Sequence, residues 1–151
     1  VSVEGGYNRT GSRSPMQWNH EVNFGFSNAS PEKMYIPTDD KPNSPTVEDQ
    51  MKDPNSLYYE VKKLIALRRE HSALLSDGNI EFVSDGADGS PLAYIRSSAD
   101  EKILVVVNPA DREAVLNVPG DWKETLYEIG GAVAVEDGKI VIPSKSANLL
   151  R

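Results

Sequence analysis

From Ile80 onward the sequence keeps a regular beat. Short β-branched or alternating runs begin near Ile80, Leu92, Ile103, Ala114, Trp122, Ala132, Ile140 and Ala147, spaced 7 to 12 residues apart. Turn chemistry sits at the joints, in Asp85-Gly86-Ala87-Asp88-Gly89, Asn108-Pro109, Pro119-Gly120-Asp121, Gly130-Gly131 and Asp137-Gly138, where glycine, proline and the short acids accommodate reversal of the chain. Short strands at even spacing predict an antiparallel β-sandwich. The run Ile103-Leu104-Val105-Val106-Val107 is apolar on both faces and belongs in a central strand.

What precedes this rhythm has none. Pro15, Pro31, Pro37, Pro42, Pro45 and Pro54 fall among the first 54 residues, mixed with Asn, Ser, Gly and Asp and with neither period 2 nor period 3.6. That texture describes irregular chain, and a segment of this length needs a surface to lie on. At Asp53-Pro54-Asn55-Ser56 the pattern changes: Asp53 can cap orphan amides and Pro54 suits a first helical position. Leu57, Val61, Leu64 and Ile65 then form one apolar stripe, with Lys62, Lys63, Arg68 and Arg69 gathered toward the negative end of the helix dipole. A helix is expected over residues 53–75, closed by Gly78. Its stripe is expected to pack on the sandwich or to join a second chain. The fold class is therefore mainly β: an antiparallel sandwich preceded by an irregular segment and one amphipathic helix. A complete (β/α)8 barrel of about 250 residues is excluded by the 151 present.

Composition narrows the function. Net charge is −7, with −2 on residues 1–78 and −5 on residues 79–151, so nucleic acid is not an expected partner. Cysteine is absent, which removes disulfides, zinc–thiolate sites and a thiol nucleophile but is compatible with cytoplasm, periplasm or secretion. No run of 18 apolar residues suits a membrane, and the chain is expected to be soluble. Its first residues lack the basic and apolar regions of a signal peptide and read like the middle of something longer. The apolar fraction of 38% is below the ordinary share of about 45–50%, a sign that some stretch is poorly packed.

Chemistry-bearing motifs are few. His20 and His71 lie far apart without a HxxxH or HExxH pattern, and no calcium-loop spacing occurs, so no metal and no cofactor are expected. His71, near the helix end, is accounted for by the dipole and a capping contact. A nucleophile elbow and a phosphate-cradling loop are both missing. Adjacent acids at Asp39-Asp40, Glu48-Asp49, Asp100-Glu101 and Glu136-Asp137 read as solvated surface, because glycosidic cleavage needs two carboxyls held several ångströms apart in a cleft. Asn8-Arg9-Thr10 and Asn28-Ala29-Ser30 fit the glycosylation pattern and decide nothing. Trp18 and Trp122 could each stack on a sugar ring, although Trp122, between strands, reads as core.

The segment from Glu4 to Trp18 contains RSPMQW, which closely resembles the RTPMQW motif of the α-amylase family of glycoside hydrolases, in its α-glucosidase, oligo-1,6-glucosidase and trehalose synthase branch. Asn23-Phe24-Gly25-Phe26-Ser27 is similar to the branch's N-x-G-F-S/T stretch. Asp53-Pro54-Asn55-Ser56-Leu57, continuing through Leu64-Ile65-Ala66-Leu67-Arg68, His71 and Leu74, is similar to its DP-x-S-L helix. Pro143 to Leu150 is similar to its terminal P-x-x-S-A-x-x-L strand.

The resemblance implies that residues 1–78 are the C-terminal remnant of a catalytic barrel, with a rim loop over 1–52 and the last helix over 53–75, and that residues 79–151 are a C-terminal all-β domain. It implies a parent acting on α-glucans or α-glucosides, with the upstream barrel as this chain's natural partner and self-association through the helix face as a consequence of its absence. The family's catalytic Asp, Glu and Asp lie in upstream motifs. Asn19-His20-Glu21 superficially matches the family's NHD element, but it follows RSPMQW and carries Glu, so no catalytic residue is transferred. Arg13, Gln17 and Trp18 are the residues expected to line or support sugar subsites at the rim, the alternative being that Arg13 and Trp18 anchor the loop to the barrel. The rival expectation is a non-catalytic carbohydrate-binding sandwich presenting Trp122, Tyr94 or Tyr127.

Overall fold

A strand with five successive apolar residues, Ile103 to Val107, must be covered on both sides, and this requirement organises the second half of the molecule. The computed structural model describes residues 13–38, 41, 43–136 and 138–151, and for Asp88 the backbone alone. Among the described residues there are eight strands: β1 (Asn79–Asp85), β2 (Leu92–Ser97), β3 (Lys102–Asn108), β4 (Ala114–Asn117), β5 (Thr125–Ile129), β6 (Ala134–Glu136), β7 (Lys139–Ile142) and β8 (Ser146–Leu150). They form two sheets, ordered β1-β2-β3-β8-β5 and β4-β7-β6, with every pairing antiparallel. The sandwich expected from the strand rhythm is the one that folds.

Alternation along β3 sends Leu104 and Val106 between the sheets, where they meet Ala93, Ile95 and Leu150 of their own sheet and Ile140 and Ile142 of the other. Ile103 and Val105 point the opposite way and form a second cluster with Leu149 and Ala73, edged by Leu74, Tyr94, Leu126 and Tyr127. The second face of the larger sheet is thus covered in part by the chain segment that follows the helix. Trp122 precedes β5 instead of starting it, and only 8% of it is exposed. Its indole N–H donates to the Pro119 carbonyl at 3.2 Å. Gly120, at φ +112°, lies against the ring, and a Cβ there would stand 3.1 Å from two ring carbons; the backbone can cross the indole this closely only without a side chain.

Two compact units make up the chain, Val1–Lys63 and Leu64–Arg151. The division falls inside a helix, α2 (Leu57–Glu70). A shorter helix, α1 (Val47–Lys52), lies within the stretch expected to be loop. The single helix expected over 53–75 is correspondingly shorter, and a 3-10 turn at Ser72–Leu74 follows it. Asp53 does not cap α2: its carboxylate accepts the Asn55 amide at 2.9 Å in a local turn. The Gln50 side chain takes the capping role, with its Oε1 accepting the Tyr58 amide at 3.1 Å, while the Ser56 hydroxyl donates to the Gln50 carbonyl at 2.6 Å. No residue of α2 is buried, and Leu57 is 70% exposed. Within the second unit the stripe residues Leu64 and Ile65 are 39% and 48% exposed, whereas Ala73, beyond the helix, is buried against the larger sheet with Leu74 beside it.

Polar contacts hold this post-helical segment. His71 leaves the helix in extended backbone, and its Nδ1–H donates to Glu101 Oε1 at 2.6 Å, with the two side chains 13% and 12% exposed. The Ala73 amide donates to the other Glu101 oxygen at 3.3 Å, and Arg151 lies 3.5 Å from the same carboxylate. Arg96, on β2, donates to the carbonyls of Ala73 at 3.0 Å and Gly78 at 3.2 Å. Two sequence expectations change here: His71 has a specific partner thirty residues on, and Glu101 is a committed anchor and not solvated charge. Burial alone would push the Glu101 carboxyl up, but the His71 ring, the Ala73 amide and Arg151 outweigh it and leave the carboxyl below its ordinary value.

Core and clamp give separate expectations. Leu104→Ala is expected to cost about 2–5 kcal/mol in urea unfolding, against roughly 0.5 kcal/mol or less for Val115→Ala on the exposed side of β4. A carboxyl whose native pKa is depressed stabilises the fold above its unfolded-state value, and that contribution is lost as pH falls through the native value. Thermal stability should accordingly drop on acidification below about pH 4.5, and the acid slope should be shallower in Glu101→Gln. An unchanged slope would mean that Glu101 carries no part of it.

Candidate functional site

The segment carrying Arg13, Gln17 and Trp18 is irregular chain that joins no sheet among the described residues, so its backbone groups need other partners. The first turn of α1 supplies them. A helix start leaves its first amides without intrahelical acceptors; here the Val47 amide donates to the Gln17 carbonyl and the Glu48 amide to the Trp18 carbonyl, each at 2.9 Å. The third is satisfied by the N-cap, where the Asp49 amide donates to Thr46 Oγ1 at 3.1 Å. Thr46 is fully buried.

Asp49 fastens the same junction from the side-chain direction. Its Oδ2 accepts the Thr46 hydroxyl at 2.8 Å and the His20 Nε2–H at 2.7 Å. The Thr46 hydroxyl and the His20 ring hold its carboxyl below the usual carboxylate range. An acid kept ionised and accepting two hydrogen bonds is an anchor, not a proton donor. Sequence reading missed this cluster, placing Asp49 with the surface acids and weighing His20 as a metal ligand and as part of the Asn19-His20-Glu21 stretch. The signal was legible in Thr46-Val47-Glu48-Asp49, which has the Ser/Thr-x-x-acid spacing of a capping box.

A strained turn closes the other side. Asn23, Phe24 and Gly25 are left-handed in succession, at φ 52°, 54° and 70°, and this conformation is costly for Phe24. It aims the Phe24 carbonyl at the amides of Trp18 (2.8 Å) and Asn19 (3.2 Å). The Asn23 side chain is buried and donates to the carbonyls of Ser27 at 2.9 Å and Ala29 at 2.7 Å. At Gly25 a Cβ would come 2.6 Å from the Asn19 side chain. The pattern Asn-x-Gly thus has a local cause: asparagine tolerates the left-handed region and anchors it, and glycine alone fits beside Asn19.

Between these supports Trp18 is 48% exposed. It lines a groove of about 370 Å³ with Asn19, Val47, Glu48, Met51 and Lys52. The floor is apolar, indole and thioether, and the rim is polar, including a Glu48–Lys52 pair at 2.8 Å. An apolar floor with hydrogen-bonding edges suits a ring that has one apolar face and peripheral hydroxyls. Arg13 is exposed and Gln17 half-buried on the same extended segment. Asp39-Asp40, Asp137 and Asn8-Arg9-Thr10 lie outside the described residues.

The β unit offers a weaker case. A cleft of about 350 Å³ there is lined by Glu81, Ile95, Lys102, Pro119, Gly120, Asp121, Trp122 and Arg151, but the Trp122 ring is packed into the core and its N–H is already used. Tyr94 is half-buried against Phe82, with ring centroids 5.9 Å apart. Among the described residues no three His, Cys, Asp or Glu side chains converge as a metal site, and no helix is long and apolar enough to cross a membrane.

Comparison with known proteins gives this geometry a setting. Residues 2–78 match the α-amylase catalytic domain, and residues 80–137 match the maltogenic amylase C-terminal domain. A glucan 1,6-alpha-glucosidase of Streptococcus pneumoniae is 34% identical over 89% of this chain and 24% of its own length. An oligo-1,6-glucosidase of Parageobacillus thermoglucosidasius is 30% identical over 74% of this chain and 19% of its own. Among solved structures, the trehalulose synthase MutB of Pseudomonas mesoacidophila superposes with a TM-score of 0.78 at 26% identity, covering 94% of this chain and 25% of that one. An isomaltulose synthase variant of Erwinia rhapontici in complex with D-glucose superposes at 0.77, also at 26% identity. The chain spans about a fifth to a quarter of the length of these relatives. From the motifs, the matched domains and the superposed fold, the chain belongs to the α-amylase family of glycoside hydrolases.

Proposed function

We propose that this chain is the C-terminal quarter of a larger enzyme that cleaves α-glucosidic bonds, passing the glucosyl group to water or to another hydroxyl, and that its Arg13–Trp18 segment forms part of the active-site rim. The observation that carries this reading is the anchored, half-exposed Trp18. Its backbone is held on both sides, by α1 and by the turn at Asn23–Gly25, while its indole is left available. Trp18 would stack on a pyranose face, Arg13 would present planar donors to sugar hydroxyls, and Gln17 would add an amide. The carboxylates that perform the cleavage would lie in the upstream barrel, so the 151 residues alone would be inactive. The barrel remnant would end at residue 78 and the β domain would begin at residue 79. The β domain would then be structural, and the exposed α2 stripe would rest on the barrel or, in the isolated chain, on a second copy.

Maltose, isomaltose and p-nitrophenyl α-glucoside test this reading. The isolated chain is expected to turn over none of them. In the full enzyme Arg13→Ala is expected to lower kcat/KM by about 10- to 100-fold, the scale of a lost hydrogen bond from a charged donor. Turnover by the isolated chain that vanishes when one of its own acids is replaced would overturn the proposal, as would an Arg13→Ala enzyme with unchanged kcat/KM.

A further inference from the structure

The geometry points to Asp49 as a positioning residue for the rim segment, acting with Thr46 and His20; this rests on the proposal that Arg13–Trp18 lies at the active site. Contacts that cross to α1 include Val47 N–H to Gln17 O and Glu48 N–H to Trp18 O from the segment itself, and the His20 ring to Asp49 just beyond it. The first two depend on where the first turn of α1 lies, and Asp49 governs that turn. Its amide and its carboxylate both bond the buried Thr46 hydroxyl, while the same carboxylate oxygen reaches across to His20. One side chain therefore connects helix start, cap and rim. None of the three groups lines the Trp18 groove, so Asp49 would act only through the backbone that it fixes. A six-residue helix is marginal alone, and loss of this cap should loosen the two carbonyls it holds before it disturbs the β unit.

The experiment reads both ends of that chain of contacts. Amide exchange in the 151-residue chain is expected to accelerate about tenfold at Val47 and Glu48 in Asp49→Ala, with exchange in β3 unchanged. Asp49→Asn, which keeps an acceptor for Thr46 and His20, should restore most of the protection, and His20→Ala should give a smaller acceleration. In the full enzyme, Asp49→Ala is expected to lower kcat/KM at least fivefold, with recovery in Asp49→Asn. Unchanged exchange at Val47 and Glu48 in Asp49→Ala would overturn the inference, and so would β3 exchange rising in parallel, which would mark a general loss of stability. If Arg13→Ala impairs the enzyme and Asp49→Ala does not, the positioning role fails while the rim proposal stands. If neither variant impairs it, the rim proposal fails and takes this inference with it.

Discussion

Everything in the β unit depends on covering both faces of β3. Leu104 and Val106 need the three-stranded sheet, and Ile103 and Val105 need something on the far side. That second cover is not a further strand but the turn after α2, with Ala73 fully buried against the sheet. Burying a turn exposes its backbone groups to the cost of unmet hydrogen bonds. Arg96 and Glu101 meet that cost by bonding the Ala73 carbonyl and amide. The apolar requirement of one strand thus explains why a cation and an acid from the β2–β3 hairpin turn toward a segment that precedes the sandwich in sequence.

The first unit solves the opposite problem. Its extended rim segment has little apolar surface to bury and many main-chain groups to satisfy. Capping amides of α1 and the strained Phe24 carbonyl do this work in place of a sheet. Strain at Phe24 is tolerated because Asn23 and Gly25 on either side accept the left-handed conformation at lower cost. What results is a short stretch of irregular chain with a defined path, the condition under which a loop can place side chains for recognition.

Much of the fold was legible in the sequence, and the reasons are local. The strand rhythm and the glycine–aspartate turns placed the strands, because alternation and turn chemistry are properties of neighbouring residues. Trp122 reads as core between strands and is core, although the run expected to begin near it starts only at Thr125, because an indole held over Gly120 and bonded to Pro119 belongs to a turn that periodicity does not encode. The helix was overextended at both ends: Asp53-Pro54 is a sound start signal, yet Gln50 and Ser56 outcompeted it, and His71 was drawn out of the helix by Glu101. Pairings across 29 or 30 residues, His20 with Asp49 and His71 with Glu101, leave no mark in spacing. At the candidate site, RSPMQW pointed to the segment, whereas its support by Thr46 and Asp49 was visible only as an unweighed capping box.

In the proposed enzyme the Arg13–Trp18 segment meets the sugar. A crystal structure of the full enzyme with an unreactive α-glucoside bound tests it most directly. The Arg13 guanidinium is expected within about 2.7–3.2 Å of a sugar hydroxyl, or the Trp18 ring in face contact with a pyranose. A bound saccharide that touches none of Arg13, Gln17 and Trp18 would contradict it.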